Sequence, residues 1–425
     1  MKKFLQVTML TAIYTFLKMV AGFVVGKVVA IYTGPAGLAM LGQIQSLMTI
    51  ITGITAAPVS TGLVRYTAET WPEGEQACVP WWRACAKISA VLFLTIVPLT
   101  ILFSTQLSLL LFETQKYGWL IIFASCVLPC SIVNTMIASV LNGQQHFKKF
   151  IFLGMLSVII STAIMSLLVI YFGINGALIA TALNGAIAGI VLFLSCIKQS
   201  WLRFRFWFGK TEPYHMKAIG KYTLMALTTA AAGPVSLICV RNILVDQTNW
   251  SDAGHWQAVW KISEVYLSVV TIALATYFLP KLAILKDSIL IKREINTTLP
   301  YVMGITVCMA LVIYLLRDFS ITLLFTEEFR TARELFGMQL IGDVIKIAGF
   351  MYAYPLQAQG HTKLFISTEI LFSLLFVASC YVLVGIYGVH GANLAYTFTY
   401  TAYFIFAFIF TNFVNVKSRK NEGAL

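Results

Sequence analysis

Seven ionisable side chains stand within long apolar stretches of this sequence: Lys18, Lys27, Arg241, Lys261, Glu264, Asp343 and Lys346. A charge at the centre of a lipid bilayer costs at least about 2.5–3.5 kcal/mol on insertion scales, so such groups face a cavity or a partner. Lys18 is about 14 residues from either end of its stretch, too deep to reach the interface easily. It lines a water-filled cavity or joins helices through a buried ion pair. Asp343 and Lys346 are spaced i,i+3 in Gly342-Asp-Val-Ile-Lys346, on one helix face and close enough to pair. The pair is either structural, or a switchable carboxylate whose protonation frees Lys346 for an anion. Lys261 and Glu264 repeat the spacing in Trp260-Lys-Ile-Ser-Glu264, nearer the outer surface, where snorkelling competes with function. It competes equally at Lys27 and Arg241, in the outer thirds of their stretches, and Glu369 is placed to reach the inner interface. Lys18 and Lys27 are nine residues apart and point to opposite faces of a straight helix, so they share a cavity only if Gly22 or Gly26 allows a bend.

Five of these seven groups are basic, which favours an anionic ligand, and phosphate is a natural partner for Lys and Arg. Gln43, Gln45, Asn134 and Asn184 can hydrogen-bond sugar hydroxyls or join neighbouring helices. No catalytic or metal constellation competes with this reading. The eight cysteines show no CxxC spacing and behave as small hydrophobes, and the five histidines form no zinc pattern. No cofactor is expected.

The elements that carry these groups follow from composition. The chain is 59% hydrophobic and 11% charged, with mean hydropathy +0.83 over 425 residues. Soluble domains carry about a quarter charged residues. In lipid the backbone must satisfy itself, so spans are helices or closed barrels. Uninterrupted apolar runs such as Leu156–Phe172 and Val302–Leu316 exclude the alternation of barrel strands. The apolar stretch after Met1-Lys2-Lys3 runs to Tyr32, too long for a cleaved signal, and is read as a retained span.

With about 20 residues per crossing, an all-α integral membrane fold of twelve spans is expected: 4–32, 36–66, 84–112, 117–142, 148–172, 175–197, 217–246, 253–281, 295–316, 330–357, 363–385 and 388–414. The even-numbered connections and the ends hold 21 of the 30 Lys and Arg and the other side holds 4, so both termini are expected in the cytoplasm. The dense stretch Trp201-Leu-Arg-Phe-Arg-Phe-Trp-Phe208 reads as an interfacial segment on anionic headgroups, and the scattered basic residues argue against nucleic acid as a partner. The longest cytoplasmic connection, 201–216, divides the chain into halves 1–200 and 217–425. Six spans per half make any repeat parallel. A faint one is visible: Lys27 precedes Pro35-Ala-Gly37 as Arg241 precedes Asp252-Ala-Gly254. The connections Thr67–Arg83, Lys198–Met216, Leu282–Glu294 and Arg317–Phe329 are too short for a catalytic domain. Six prolines within or at the ends of spans, Pro58, Pro98, Pro129, Pro234, Pro280 and Pro355, are expected to kink helices.

At several segments the chain resembles the Wzx family of flippases for lipid-linked oligosaccharides, the group of the O-antigen translocases and of the flippase for lipid III of the enterobacterial common antigen. The segments are Thr33-Gly-Pro-Ala-Gly-Leu38, Lys221-Tyr-Thr-Leu-Met-Ala-Leu227, Trp256-Gln-Ala-Val, Ile262-Ser-Glu-Val-Tyr-Leu267, Leu315-Leu-Arg-Asp-Phe319 and Gln339-Leu-Ile-Gly-Asp-Val-Ile-Lys346. The resemblance implies the fold of the multidrug/oligosaccharidyl-lipid/polysaccharide (MOP) exporters, including the multidrug and toxic compound extrusion (MATE) type: two six-helix bundles around a central cavity in a bacterial inner membrane. It implies, as substrate, an undecaprenyl-pyrophosphate-linked repeat unit of O-antigen or a related surface polysaccharide. Alternating access would move it from the cytoplasmic to the periplasmic leaflet. It adds weight to Asp343 and Lys346, matches Glu264 to an acidic position, and places Arg65 at the inner end of span two to meet the pyrophosphate. Lys261 has no counterpart in the resemblance. With no ATP-binding P-loop, energy would come from the substrate gradient or an H+ or Na+ gradient, with Asp343 and Glu264 as coupling groups. The glycan polymerase and the chain-length regulator of the same pathway are the expected protein partners. A multidrug exporter of the same fold is the alternative, and a membrane-embedded polymerase or ligase a further one that the short outer loops disfavour.

Overall fold

The computed structural model describes residues 2–285, 287–358 and 362–414. Lys286 and the tail residues Lys417, Arg419 and Lys420, which entered the charge asymmetry, are outside the described residues. Among the described residues there is no β-strand, as expected of a chain that must satisfy its backbone within each segment. Among the described residues, ten helical stretches are long and apolar enough to cross a membrane. Two of them, Met9–Glu73 and Phe147–Cys196, run to 65 and 50 residues. A 50-residue helix would be about 75 Å long, far beyond a hydrocarbon core of about 30 Å. Both are broken at a glycine with positive φ: Gly34 (φ 64°, ψ −167°) and Gly173 (φ 55°, ψ −132°). The sequence places its breaks at these two positions, between 32 and 36 and between 172 and 175.

The chain forms two compact units. The first comprises Met1–Thr33 and Met40–Ile238, the second Gly34–Ala39 and Cys239–Leu425. The first holds most of α1 (Lys2–Ala56), α2 (Thr61–Thr70), α3 (Glu75–Leu102), α4 (Ser104–Phe112), α5 (Gly118–Gly143), α6 (Phe147–Cys196), the short α7 (Phe204–Trp207) and most of α8 (Pro213–Gln247). The second holds α9 (Trp250–Ala273), α10 (Leu279–Ile284), α11 (Ser288–Leu315), α12 (Arg317–Leu324), α13 (Phe336–Ala358), α14 (Thr362–Tyr387) and α15 (Val389–Ile409).

Small residues let the membrane helices approach. In the first unit Gly185 and Gly189, four residues apart on α6, lie against α5. A Cβ on Gly189 would stand 2.0 Å from the Cys130 carbonyl oxygen, and one on Gly185 2.3 Å from Ser131 Oγ. Backbone cannot give way as a side-chain tip can. Gly189→Ala is therefore expected to lower stability by about 1–3 kcal/mol, the usual range for overpacking. Thermal unfolding of the purified protein in detergent measures it; an unchanged midpoint would show that the two helices are free to separate. In the second unit a Cβ on Gly254 would meet the Pro35 carbonyl oxygen at 2.0 Å. The two sequence motifs that suggested an internal repeat thus touch each other.

The connections are themselves largely helical. In Thr67–Arg83, α2 runs to Thr70, a 3-10 turn follows, Gly74 (φ 102°) reverses the chain, and α3 starts at Glu75. Hydropathy marks where a helix leaves the hydrocarbon, not where it ends. Arg317–Phe329 is likewise largely helical, with α12 followed by a 3-10 stretch from Glu327. The aromatic segment 201–208 is also only partly interfacial. Trp201, Phe206 and Trp207 are buried in the core of the first unit. Trp207 stacks on Trp82 at 5.3 Å and donates its indole N–H to the Trp201 carbonyl at 2.9 Å. Only the stacked pair Phe204 and Phe208 is exposed beside Arg203 and Arg205.

Candidate functional site

Helix α9 begins on a reciprocal cap. Asn249 Oδ1 accepts the Asp252 N–H at 2.9 Å, and Asn249 Nδ2 donates to Asp252 Oδ2 at 3.0 Å. The cap fixes the start of a helix that carries Trp260, Lys261, Glu264 and Tyr266. On α13, residues Gln339, Asp343, Lys346 and Phe350 follow a helical spacing of four, three and four and share one face. The glycines of that helix seat α15: a Cβ on Gly342 would fall 2.5 Å from the Tyr396 ring, and one on Gly349 2.9 Å from the Tyr403 ring. Asn393 Nδ2 and Thr397 Oγ1 of α15 donate to the carbonyls of Leu335 and Met338 at 2.8 and 2.9 Å.

Asp343 is fully buried, at 0% exposure. Its carboxylate accepts the hydroxyls of Tyr266 at 2.8 Å and Tyr396 at 2.7 Å, and the Gln339 amide at 3.3 Å. The Ser263 hydroxyl also hydrogen-bonds to it and Lys346 acts on it electrostatically from the same helix face, so the i,i+3 neighbours interact within a knot tying α9, α13 and α15. The Lys346 ammonium turns into a box of rings: Tyr400 at 4.8 Å, Tyr396 at 5.5 Å, and Trp260 and Phe350 at 5.7 Å from their centroids. Cation–π attraction holds a charge there without cancelling it.

The box opens on a cavity of about 370 Å³ lined by Trp260, Glu264, Gln339, Lys346, Tyr396 and Tyr400, among others. The Glu264 side chain is exposed into it and acts electrostatically on three cations: Arg241 of α8, Lys261 of α9 and Lys346 of α13. Arg241 is only 1% exposed, so it is not snorkelling. Glu369 of α14 also acts on Lys346 rather than merely reaching the interface. The Trp260 indole N–H and Gln339 Oε1 are buried without a hydrogen-bond partner among the described residues. A buried, unpaired donor beside a cation suits an oxyanion.

Lys18 belongs to the first unit. It lines a cavity of about 390 Å³ within the first unit, its ammonium 4.2 Å from the Tyr14 ring centroid. Lys27 does not line that cavity. The backbone of α1 is helical through Gly22 and Gly26, and the first non-helical residue is Gly34. The bend that would bring Lys18 and Lys27 together is absent, so they keep opposite faces. Arg65 on α2 is exposed, 4.0 Å from Glu69 and over the Tyr66 ring. The structure thus gathers Arg241, Lys261, Glu264 and Lys346 in the second unit and ties Asp343 just behind them, while Lys18 lines a cavity of the first unit and Arg65 is exposed on α2.

Sequence reasoning missed Trp260, Tyr266, Tyr396 and Tyr400. The i,i+4 pair Tyr396 and Tyr400 on α15 was a readable signal: phenols in a membrane helix need partners.

No protein-family model matches the chain. In sequence it is similar to the lipid III flippase of Escherichia coli K12, 29% identical over 402 residues that cover 93% of this chain and 94% of that one. In structure it is similar to an inward-facing MATE-family multidrug resistance transporter of the MOP superfamily, with a TM-score of 0.71, 14% identity and coverage of 95% and 96%. It is also similar to the lipid II flippase MurJ in an inward closed conformation, with a TM-score of 0.70, 14% identity and coverage of 95% and 87%. The two-bundle exporter fold expected from the sequence is the fold of these neighbours. This chain has the fold of the MOP-superfamily transporters over nearly its whole length, and its sequence similarity runs to a flippase.

Proposed function

We propose that the protein is a flippase, not an enzyme. It moves an undecaprenyl-pyrophosphate-linked repeat unit of O-antigen or a related surface polysaccharide from the cytoplasmic to the periplasmic leaflet of a bacterial inner membrane. The carrying observation is the cation cluster Arg241, Lys261 and Lys346 around Glu264, with Lys346 held in its ring box at the wall of a cavity. The pyrophosphate meets Lys346 at the cavity wall, with Arg241 and Lys261 adding positive charge from behind Glu264, while the prenyl tail stays in lipid. Lys18, Lys27 and Arg65 are further candidate cations for the substrate, carried by the first unit. Twelve crossings, one for each half of the two broken helices, put both termini in the cytoplasm, with bundles at 1–200 and 217–425. The polymerase and chain-length regulator of the same pathway are the partners that would receive the product.

Glu264 is the better coupling carboxylate of the two candidates. It is exposed into the cavity, whereas Asp343 is closed off by three donors. With an H+ or Na+ gradient as the driving force, Glu264→Gln is expected to leave translocation insensitive to collapse of that gradient. Flipping in proteoliposomes with and without ionophore measures this; a mutant as ionophore-sensitive as wild type would remove Glu264 from coupling.

The rival reading, a multidrug exporter, meets a specific obstacle. The aromatic box that would take a cationic drug already holds the chain's own ammonium. A deletion strain separates the two readings. Accumulation of lipid-linked glycan relieved by the gene supports the flippase; relief of dye retention with no effect on glycan supports the exporter.

A further inference from the structure

The cavity of the first unit differs in chemistry from the cation cluster. Its walls include Tyr14 and Lys18 of α1, Asn134 and Asn142 of α5, and Phe150 and Asn184 of α6. Helical spacing builds it. Asn134, Ala138 and Asn142 stand at i, i+4 and i+8 on one face of α5, and Asn184, Ala188 and Leu192 do the same on α6. Gly154 makes room for the Tyr14 ring, since a Cβ there would fall 2.6 Å from the phenol.

Among the described residues, none of the carboxamides of Asn134, Asn142 and Asn184 is hydrogen-bonded to the protein. Amides in apolar surroundings are costly unless they find partners, and membrane helices usually pair them with each other. Here three face a common space. Each offers two N–H donors and a carbonyl acceptor, the complement of vicinal hydroxyls and N-acyl groups on sugar rings. The Tyr14 and Phe150 rings, edge to face at 6.4 Å, supply flat apolar faces for ring C–H groups. The charge balance points away from phosphate. Lys18 is the one cation among the lining residues and no carboxylate lines the cavity, whereas a pyrophosphate diester brings about two negative charges. At about 390 Å³ the space is of small-ligand size, within the usual range of about 300–1,000 Å³.

We propose that this cavity is a saccharide site: the first unit reads the glycan through its amides, and the second unit reads the pyrophosphate through its cations. The division of labour rests on the flippase reading. It makes glycan selectivity separable from the phosphate requirement by mutation.

The test compares two prenyl-pyrophosphate carriers in proteoliposomes of the full chain, one bearing a single sugar and one bearing three. Wild type is expected to prefer the longer glycan. The double variant Asn134→Ala/Asn184→Ala is expected to reduce that preference about tenfold, as the loss of two ligand hydrogen bonds implies. Asn184→Ser, at an exposed position, serves if the double variant folds poorly, with about a threefold reduction. Lys346→Ala is expected to impair both carriers alike. A preference unchanged in the Asn variants overturns the saccharide site and leaves the flippase reading standing. Failure of the wild type to move either carrier sinks that reading, and the inference with it.

Discussion

Lys346→Ala is expected to lower translocation of the lipid-linked glycan by at least about thirtyfold while the protein still inserts and folds. Truncating one partner of a buried, hydrogen-bonded charge pair costs about 2–5 kcal/mol, and about 2 kcal/mol is about thirtyfold at about 1.36 kcal/mol per factor of ten. Folding is spared because the rings around the ammonium hold one another, although its hydrogen bond to Tyr400 is lost. Its neighbours are ring faces of Trp260, Phe350, Tyr396 and Tyr400, which remain packed against one another at centroid distances such as 4.7 Å for Tyr396 and Tyr400. Lys346→Arg retains charge but must fit a planar fork where an ammonium stood, so partial activity is expected. Flipping in proteoliposomes, with melting in detergent measured in parallel, decides the matter. Near wild-type flipping by Lys346→Ala would remove the cation cluster from the mechanism.

Asp343→Ala is expected to have the opposite profile, a large loss of stability. The substitution strands two phenols and an amide that now converge on the carboxylate. Each buried group left unsatisfied costs about 1–3 kcal/mol, and the three sit where α9, α13 and α15 meet. A loss of several kcal/mol is expected, read as a fall in detergent melting temperature or in yield. Asp343→Asn keeps the shape and one acceptor and should fall between. Tyr266→Phe and Tyr396→Phe, each removing one donor, should cost about 1 kcal/mol. If Asp343→Ala melts like wild type yet stops transport, the residue is a coupling group rather than the fastening of the bundle.

The contrast between these two residues shows how far reading along the chain reaches. Their i,i+3 spacing correctly put both on one face of α13, because helix geometry is local. It could not say what else would meet the carboxylate. That depended on Tyr266 and Tyr396, 77 residues before and 53 after Asp343, and on Gly342, which seats the Tyr396 ring against α13. The resemblance found in Gln339-Leu-Ile-Gly-Asp-Val-Ile-Lys346 marked the segment but gave no partners. Likewise Lys18 is a deep cation by sequence, and only its neighbours on α5 and α6 show that it stands among amides.

By itself the sequence determined the solvent and the secondary structure. Runs of apolar residues in a chain with 11% charge leave only self-satisfied helices in lipid, and glycines at 34 and 173 end two of them. It also determined that deep charge is mostly positive. Tertiary structure alone decided which charges share a cavity, which are locked, and which amides are left open. Backbone satisfaction is settled within each helix. Side-chain charges and amides are settled between helices that are far apart in the chain, where a small residue or a ring on one decides what the other can reach.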